Sequence, residues 1–317
     1  MCAASGGVLW ALIALAWALG WVELDPLAVL VLLALLVIAP LAIPLAVFPA
    51  DSRPLRSREG PIAIAIAQPF AALAGGISLL LPVGPFAGAA ADVWLVFTAL
   101  LALWSVGRLV HTRGITLADA CLAAALLYLP VGGAWLVLAR LGIRPLGFSS
   151  TTVLLTAVHF HYITLGALVL TGLTGRAIAG RNWWTRTMYR MVAAGMLAGP
   201  LLVAAGITLT QVSGFRLPED GAATLLALSV IVIAAISLHW VVPATRPRLA
   251  QGLLVVSSGS VLLTMALACA YAVGAATGAW TITIAQMIAT HGWVNALGFS
   301  LCGLLGWRLR LERKGHP

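Results

Sequence analysis

Hydrophobic residues run in long continuous stretches along this chain, broken by short polar segments. An α-helix needs about 20 apolar residues to cross a hydrocarbon core about 30 Å thick. Ten stretches meet or approach that length: 7–22, 27–49, 61–82, 86–107, 117–139, 149–174, 187–211, 221–244, 252–276 and 280–307. They are continuous rather than alternating, so they predict helices and not the strands of a barrel. The first is the shortest. The third and fourth are parted only by Pro82-Val83-Gly84-Pro85. Pro130 with Gly132 and Gly133 predicts a kink in the fifth. The expected fold is all-α, a polytopic transmembrane helical bundle of about ten spans in one transmembrane domain over 1–317. Two N-terminal spans lie within 7–49 and a core covers 61–307. The longest polar stretch, Ala50–Gly60, is a loop, and no soluble domain is visible.

Composition agrees with that pattern. Of 317 residues, 62% are hydrophobic and 9% charged, and the mean hydropathy is +1.06. A soluble chain carries about 25% charged residues. There is too little polar surface here to cover a water-facing particle, which excludes a cytosolic enzyme, a secreted domain, a disordered chain and a nucleic-acid reader. The N-terminus has no basic region before its apolar run, and a second run follows closely. It is therefore read as a span rather than a cleaved signal peptide.

The net charge of +9 then becomes a statement about topology. With the N-terminus placed in the cytoplasm, the inner segments hold Arg53, Arg56, Arg58, Arg108, Arg113, Arg176, Arg181, Arg186, Arg190, Arg246, Arg248, Arg308, Arg310, Arg313 and Lys314. The outer ones hold Arg140, Arg144 and Arg216. Fifteen against three is a strong positive-inside asymmetry. It predicts a multi-pass protein of the cell membrane with both termini inside. Trp21, Trp183, Trp184 and Trp307 fall near span ends, where interfacial anchors belong. The four cysteines, Cys2, Cys121, Cys269 and Cys302, form no C-x-x-C pair. They read as small core residues rather than a disulfide or zinc framework.

Polar groups at bilayer depth are where chemistry is expected, because a charge at a span centre costs about 2.5–3.5 kcal/mol on insertion scales. They are Asp92, Asp119, His159, His161, His239, His291 and Asn295, with the amides Gln68 and Gln286. Under the topology above, His159, His161 and His291 share the midplane to within a few ångströms at about 1.5 Å per residue. His159 and His161 are separated by about 200° around a helix, so only one of them can face a given cavity. Tyr162 shares the face of His159. Ile284, Met287, His291, Asn295 and Gly298 fall on one stripe, so the amide of Asn295 can orient the ring of His291. Structural roles compete with functional ones. The histidines can bond neighbouring helices, and Thr116-x-x-Asp119 has the form of a capping box. Asp92 can be an outer-interface residue, His239 and Trp240 read as interfacial, and His111 and His316 as solvated. Gly195-x-x-x-Gly199 and Ser257 to Ser260 mark close-packing faces.

Two motifs carry a resemblance. The first runs from Pro130-Val-Gly-Gly-Ala-Trp135 through Arg144-Pro-Leu-Gly-Phe148 to His159-Phe-His161-Tyr162. The second is Thr290-His291-Gly-Trp-Val-Asn295-Ala-Leu-Gly298-Phe299, ending near Gly306-Trp307. Across roughly residues 85–310 the chain resembles the YndJ-like family of bacterial integral membrane proteins. Where the family pattern continues H-F-H-Y with Ala-Gly, this chain has the bulkier and more polar Ile163-Thr164. The resemblance implies site residues rather than an activity.

Three functions follow from this inventory. The first is an intramembrane acid–base enzyme, of isomerase or terpenoid-cyclase type, acting on a lipophilic substrate such as a prenyl chain. It needs no cofactor and no metal. Its candidate catalytic residues are His159, His161, His291, Asn295, Asp92 and Asp119, and Tyr162, Trp135, Thr164 and Trp293 are candidate substrate contacts. Abundant aromatic rings could shield a cationic intermediate. The second is a small-molecule or proton-coupled transporter. The third is a haem or metal membrane protein with histidines of different helices as ligands. The expected partners are a lipophilic small molecule and the bilayer, and no nucleic acid.

Overall fold

A computed structural model describes residues 3–47, 59–112 and 114–312. Cys2, Arg53, Arg56, Arg58, Arg113, Arg313, Lys314 and His316 lie outside the described residues, as does most of the expected loop at 50–60. Among the described residues the chain is helical and has no strand. Among the described residues nine helices are long and apolar enough to cross a membrane, and the first apolar run forms a shorter helix, Ala3–Ala18. At about 1.5 Å per residue its 16 residues reach about 24 Å, short of the hydrocarbon thickness. The helices are α1 (Ala3–Ala18), α2 (Pro26–Val47), α3 (Glu59–Leu80), α4 (Pro85–His111), α5 (Leu117–Leu141), α6 (Ser150–Ala177), α7 (Trp183–Ser213), α8 (Leu217–Val241), α9 (Arg248–Thr277) and α10 (Ile284–Glu312). The polytopic helical bundle expected from the sequence is the fold.

The chain divides into two compact units. Unit 1 comprises Met1–Ile115 and Leu122–Leu165, and unit 2 comprises Thr116–Cys121 and Gly166–Pro317.

In unit 1, α2 is apolar on every face and is buried on every face, as such a helix must be. Asp25 caps it by accepting a hydrogen bond from the Leu27 amide at 2.8 Å, with Pro26 in the first turn. At its other end Arg108 donates to the carbonyls of Ala46 and Val47 at 3.2 and 3.0 Å, which satisfies acceptors that a helix end leaves open. Trp10 and Trp17 of α1 donate to the carbonyls of Val29 and Leu24. Lipid tails are as apolar as leucine, so hydrophobicity alone does not hold such helices together, and close packing must. Small residues make that packing possible here. A Cβ at Gly75 would come 2.6 Å from Leu35 Cδ2, and one at Gly133 would come 3.1 Å from Thr98 Oγ1. The expected kink in α5 is present: the helix is interrupted at Tyr128 and restarts with Pro130 in its first turn.

In unit 2, α7 and α8 form an antiparallel hairpin. Gly195 meets Ser229, Gly199 meets Leu226, and Gly206 meets the backbone of Glu219. The Gly195/Gly199 pair is thus a packing face, as its spacing indicated. α9 and α10 pack in the same way, with Gly298 on Ser260, Gly303 on Ser257 and Gly306 on Leu254. Short π-helical stretches interrupt the helices, among them Ser237–Val241 in α8, and Ile288–Gly292 and Val294–Leu301 in α10. Such stretches shift backbone pairing from i−4 to i−5 and recur at functional sites.

Three local expectations need correction. Trp307 is not an interfacial anchor. It is 3% exposed, with the Arg310 guanidinium 4.9 Å from its ring. Trp21, Trp183 and Trp184 are exposed, as anchors are. Cys269 is exposed rather than in the core, whereas Cys121 is buried. Gln286 is not a mid-membrane amide. It caps the first turn of α10 by accepting from the Thr283 amide at 2.8 Å.

Candidate functional site

The two histidines of the H-F-H-Y motif have different surroundings, as their angular separation requires. His161 is fully buried in unit 1. Its Nδ1 lies 2.7 Å from the Ala157 carbonyl, and a carbonyl can only accept, so Nδ1 carries the proton. Its Nε2 accepts the indole N–H of Trp94 at 2.8 Å. Both ring nitrogens are used, and the ring is held neutral in a single tautomer. Gly132 makes room for it, because a Cβ there would lie 2.8 Å from Nδ1. Thr164 beside it is also fully buried and bonds back to the Phe160 carbonyl at 2.6 Å.

His159 is exposed on the opposite side of α6. Its Nδ1 likewise bonds its own helix, at 2.9 Å from the Leu155 carbonyl. That leaves Nε2 as an acceptor with no hydrogen-bond partner among the described residues. Thr152, Thr156 and Tyr162 continue the same stripe at helical spacing, half-buried. The Tyr162 hydroxyl donates to the Leu30 carbonyl at 2.9 Å. Trp135, half-buried on α5, packs edge-on against Phe148, with ring centroids 6.1 Å apart.

Asp92 lies on an exposed face of α4 and makes no hydrogen bond or ion pair among the described residues. Its level is fixed by register. Gly88 meets Leu141 and Gly133 meets Thr98, so α4 and α5 are antiparallel. Gly132 meets His161 and Trp135 meets Phe148, so α5 and α6 are antiparallel as well. α4 and α6 therefore run parallel, tied at Trp94 and His161. Asp92 and His159 each precede that tie by two residues, about 3 Å along the axis and about 200° around it, so they lie at a similar level but face away from each other.

Unit 2 holds the second group. The Thr264 hydroxyl donates to Asn295 Oδ1 at 2.7 Å, and Asn295 Nδ2 donates to His291 Nε2 at 3.0 Å. His291 Nδ1 donates to the Thr264 carbonyl at 3.0 Å, which closes a ring of hydrogen bonds between α9 and α10. The i,i+4 pairing of His291 with Asn295 was legible in the sequence, but Thr264 was not singled out. Its signal was a hydroxyl at mid-span. Trp94 was missed too, although a tryptophan nine residues into a span lies far from any interfacial belt. Trp293 is half-buried on α10.

Asp119 has its carboxylate fully engaged. One oxygen closes the capping box with Thr116, accepting its hydroxyl at 2.7 Å and its amide at 3.1 Å. The other pairs with the Arg176 guanidinium. The helix-capping reading accounts for the first contact, and Arg176 was not anticipated. His239 is exposed beside Trp240, whose ring also lies 4.3 Å from the Arg181 guanidinium. Among the described residues no group of three His, Cys, Asp or Glu side chains comes together.

No solved structure matches this chain. The uncharacterized membrane protein YndJ of Bacillus subtilis (strain 168) is 33% identical over 245 residues, which cover 76% of this chain. The chain spans 41% of the length of that relative. The YndJ-like profile matches residues 29–299, so it takes in α2 and α3 as well as the stretch that carries the two motifs. The protein is a multi-pass membrane protein and belongs to the YndJ-like family.

Proposed function

We propose that this chain performs acid–base chemistry on a lipophilic small molecule that reaches unit 1 from the bilayer, as an isomerase or cyclase acting on a prenyl-type chain. The observation that carries the reading is the Nε2 of His159. It is a neutral imidazole nitrogen fixed in its basic tautomer and open at an exposed mid-span position. His159 works first as base and then as acid. Its Nε2 takes an allylic proton from the substrate, and the imidazolium so formed returns a proton at the far carbon of the allylic unit, so the double bond shifts and no cofactor is consumed. The Tyr162 ring, on the same stripe of α6, lies beside the bound chain. The charge asymmetry of the sequence supports a cytoplasmic-membrane location with both termini inside.

The test is turnover of geraniol, farnesol, geranylgeraniol and their diphosphates by purified protein in lipid, with products read by mass spectrometry. A new isomer or cyclised product is expected from the natural chain and not from His159→Gln. A His159→Gln protein that forms the same product at the same rate overturns the assignment.

A proton-coupled carrier is a second reading, favoured by the closed Thr264–Asn295–His291 ring. Protonation at His291 Nε2 would set its new hydrogen against the Asn295 N–H, so the amide must turn and release the Thr264 hydroxyl. Uptake into proteoliposomes that requires a pH gradient and is lost in Asn295→Leu would establish it.

A further inference from the structure

The turn between α6 and α7 and the turn between α8 and α9 meet at one end of unit 2. The Arg181 guanidinium of the first lies over the ring of Trp240, at the end of α8, 4.3 Å from its centroid. Arg310 of α10 reaches the same end and donates to the Val241 carbonyl and the Thr245 hydroxyl at 3.0 and 2.7 Å. Arg310 is buried and spent on that helix end, whose carbonyls and dipole favour a cation. Its neighbours are not spent. Arg181, Arg186, Arg190, Arg246 and Arg248 are exposed, and none of them forms an ion pair among the described residues. The carboxylates described at this end are Asp119 and Glu312, and Arg176 and Arg308 already hold them. Glu219 and Asp220 open the far end of α8, about 30 Å away at about 1.5 Å per residue. The exposed arginines therefore present positive charge with no counter-charge from the described protein.

Topology requires only that such charges be present. Their placement here is more specific. The Trp240 ring fixes the Arg181 guanidinium while its N–H donors keep no protein acceptor, so they are free to take two oxygens of a phosphate at once. Arg246 and Arg248 follow Trp240 on the second turn, and Arg248 is the first residue of α9. Neither α7 nor α9 has an acidic residue in its first turn, so both helix dipoles add to the positive field. The surroundings decide the kind of anion. Trp183 and Trp184 stack at the start of α7 with ring centroids 4.1 Å apart, and both are exposed, as are Met188, Met191 and Leu249. Arg190 stands beside these methionines, about 10 Å along α7 from Trp183. A nucleic acid or a soluble acidic protein gives nothing to such apolar side chains. A phospholipid gives phosphate to the arginines and acyl chains to the rest.

We propose that this end of unit 2 is a binding site for an anionic phospholipid, with its headgroup phosphate on Arg181, Arg246 and Arg248 and with Arg186 and Arg190 adding to the field. The inference goes beyond the acid–base reading, uses none of its residues and can fail independently of it. The test uses the whole chain in an uncharged detergent. Phosphatidylglycerol, phosphatidylcholine with the same acyl chains, and inorganic phosphate are titrated in turn. Thermal unfolding is followed, and retained lipid is counted by native mass spectrometry. A saturable rise of the melting temperature and retained lipid are expected with phosphatidylglycerol alone. The double change Arg181→Gln with Arg248→Gln should weaken that binding by about tenfold or more, equivalent to about 1.4 kcal/mol. Arg216→Gln, at the opposite end of α8, should leave it unchanged. Equal responses to the two lipids, an equal response to inorganic phosphate, or an equal loss in Arg216→Gln would each overturn the proposal. The choice between the two lipids by the natural chain decides the matter even if the double variant fails to fold.

Discussion

Trp94 donates its indole N–H to Nε2 of His161 across 2.8 Å, and both side chains are fully buried. The bond ties α4 to α6 and uses the one ring nitrogen of His161 that its own helix leaves open. Trp94→Phe keeps the aromatic body but strands that nitrogen, at a cost of about 1–3 kcal/mol. Thermal unfolding in detergent should show the loss. In a cycle with His161→Leu, the double variant should be less destabilised than the sum of the two single changes. Strict additivity would contradict the bond.

Gly132 is the residue that lets His161 sit where it does. A methyl group there would come 2.8 Å from Nδ1 and 3.2 Å from the Phe160 Cβ. Gly132→Ala should destabilise by about 1–3 kcal/mol through overpacking. Gly107→Ala in α4, where a Cβ meets nothing within 4 Å, should be neutral or slightly stabilising. Comparing the two melting temperatures separates a steric role from a general preference for glycine.

The Thr264–Asn295–His291 ring predicts coupling between α9 and α10. Thr264→Val removes the only donor that the ring offers to Asn295 Oδ1. A loss of about 0.6–1.7 kcal/mol is expected, the range measured for interhelical hydrogen bonds in a membrane bundle. Asn295→Leu should cost more than Thr264→Val, because it removes two hydrogen bonds of the ring, the one from Thr264 Oγ1 and the one to His291 Nε2. The reverse order would show that the amide is not the centre of the ring.

Asp119 serves as a cap and an ion-pair partner together. Asp119→Asn keeps an oxygen for Thr116 but loses the charge opposite Arg176, and Asp119→Ala loses both. Stability should fall in that order, with the capping part of the Ala change worth about 0.5–2 kcal/mol. Equal losses would mean that Thr116 contributes nothing to the end of α5.

The helices were legible because continuous apolar runs of span length admit almost no other structure. The first forms a helix of 16 described residues, the shortest of the ten, in line with its short apolar run. The His159/His161 division followed from helix geometry, because residues two apart cannot share a face. Which of the two is locked depended on Trp94, a residue 67 positions away, and no periodicity reports such a contact. The Asn295–His291 pair was readable because it is local. Thr264 and Arg176 were not, because each reaches its partner across a helix interface. Trp307 was misjudged because its position near a span end gave no sign of Arg310 covering its ring.

The central claim is that the H-F-H-Y histidines divide their roles, with His161 locked and His159 open. Time-resolved modification by diethyl pyrocarbonate, with site-resolved mass spectrometry on the protein in lipid, tests it most directly. The reagent attacks a free imidazole nitrogen. His159 should react readily, and His161 at least about tenfold more slowly, since its Nε2 is reached only after an opening that costs about 1.4 kcal/mol or more. Trp94→Phe should narrow that gap. Equal rates at the two histidines, or faster reaction at His161, would contradict the account.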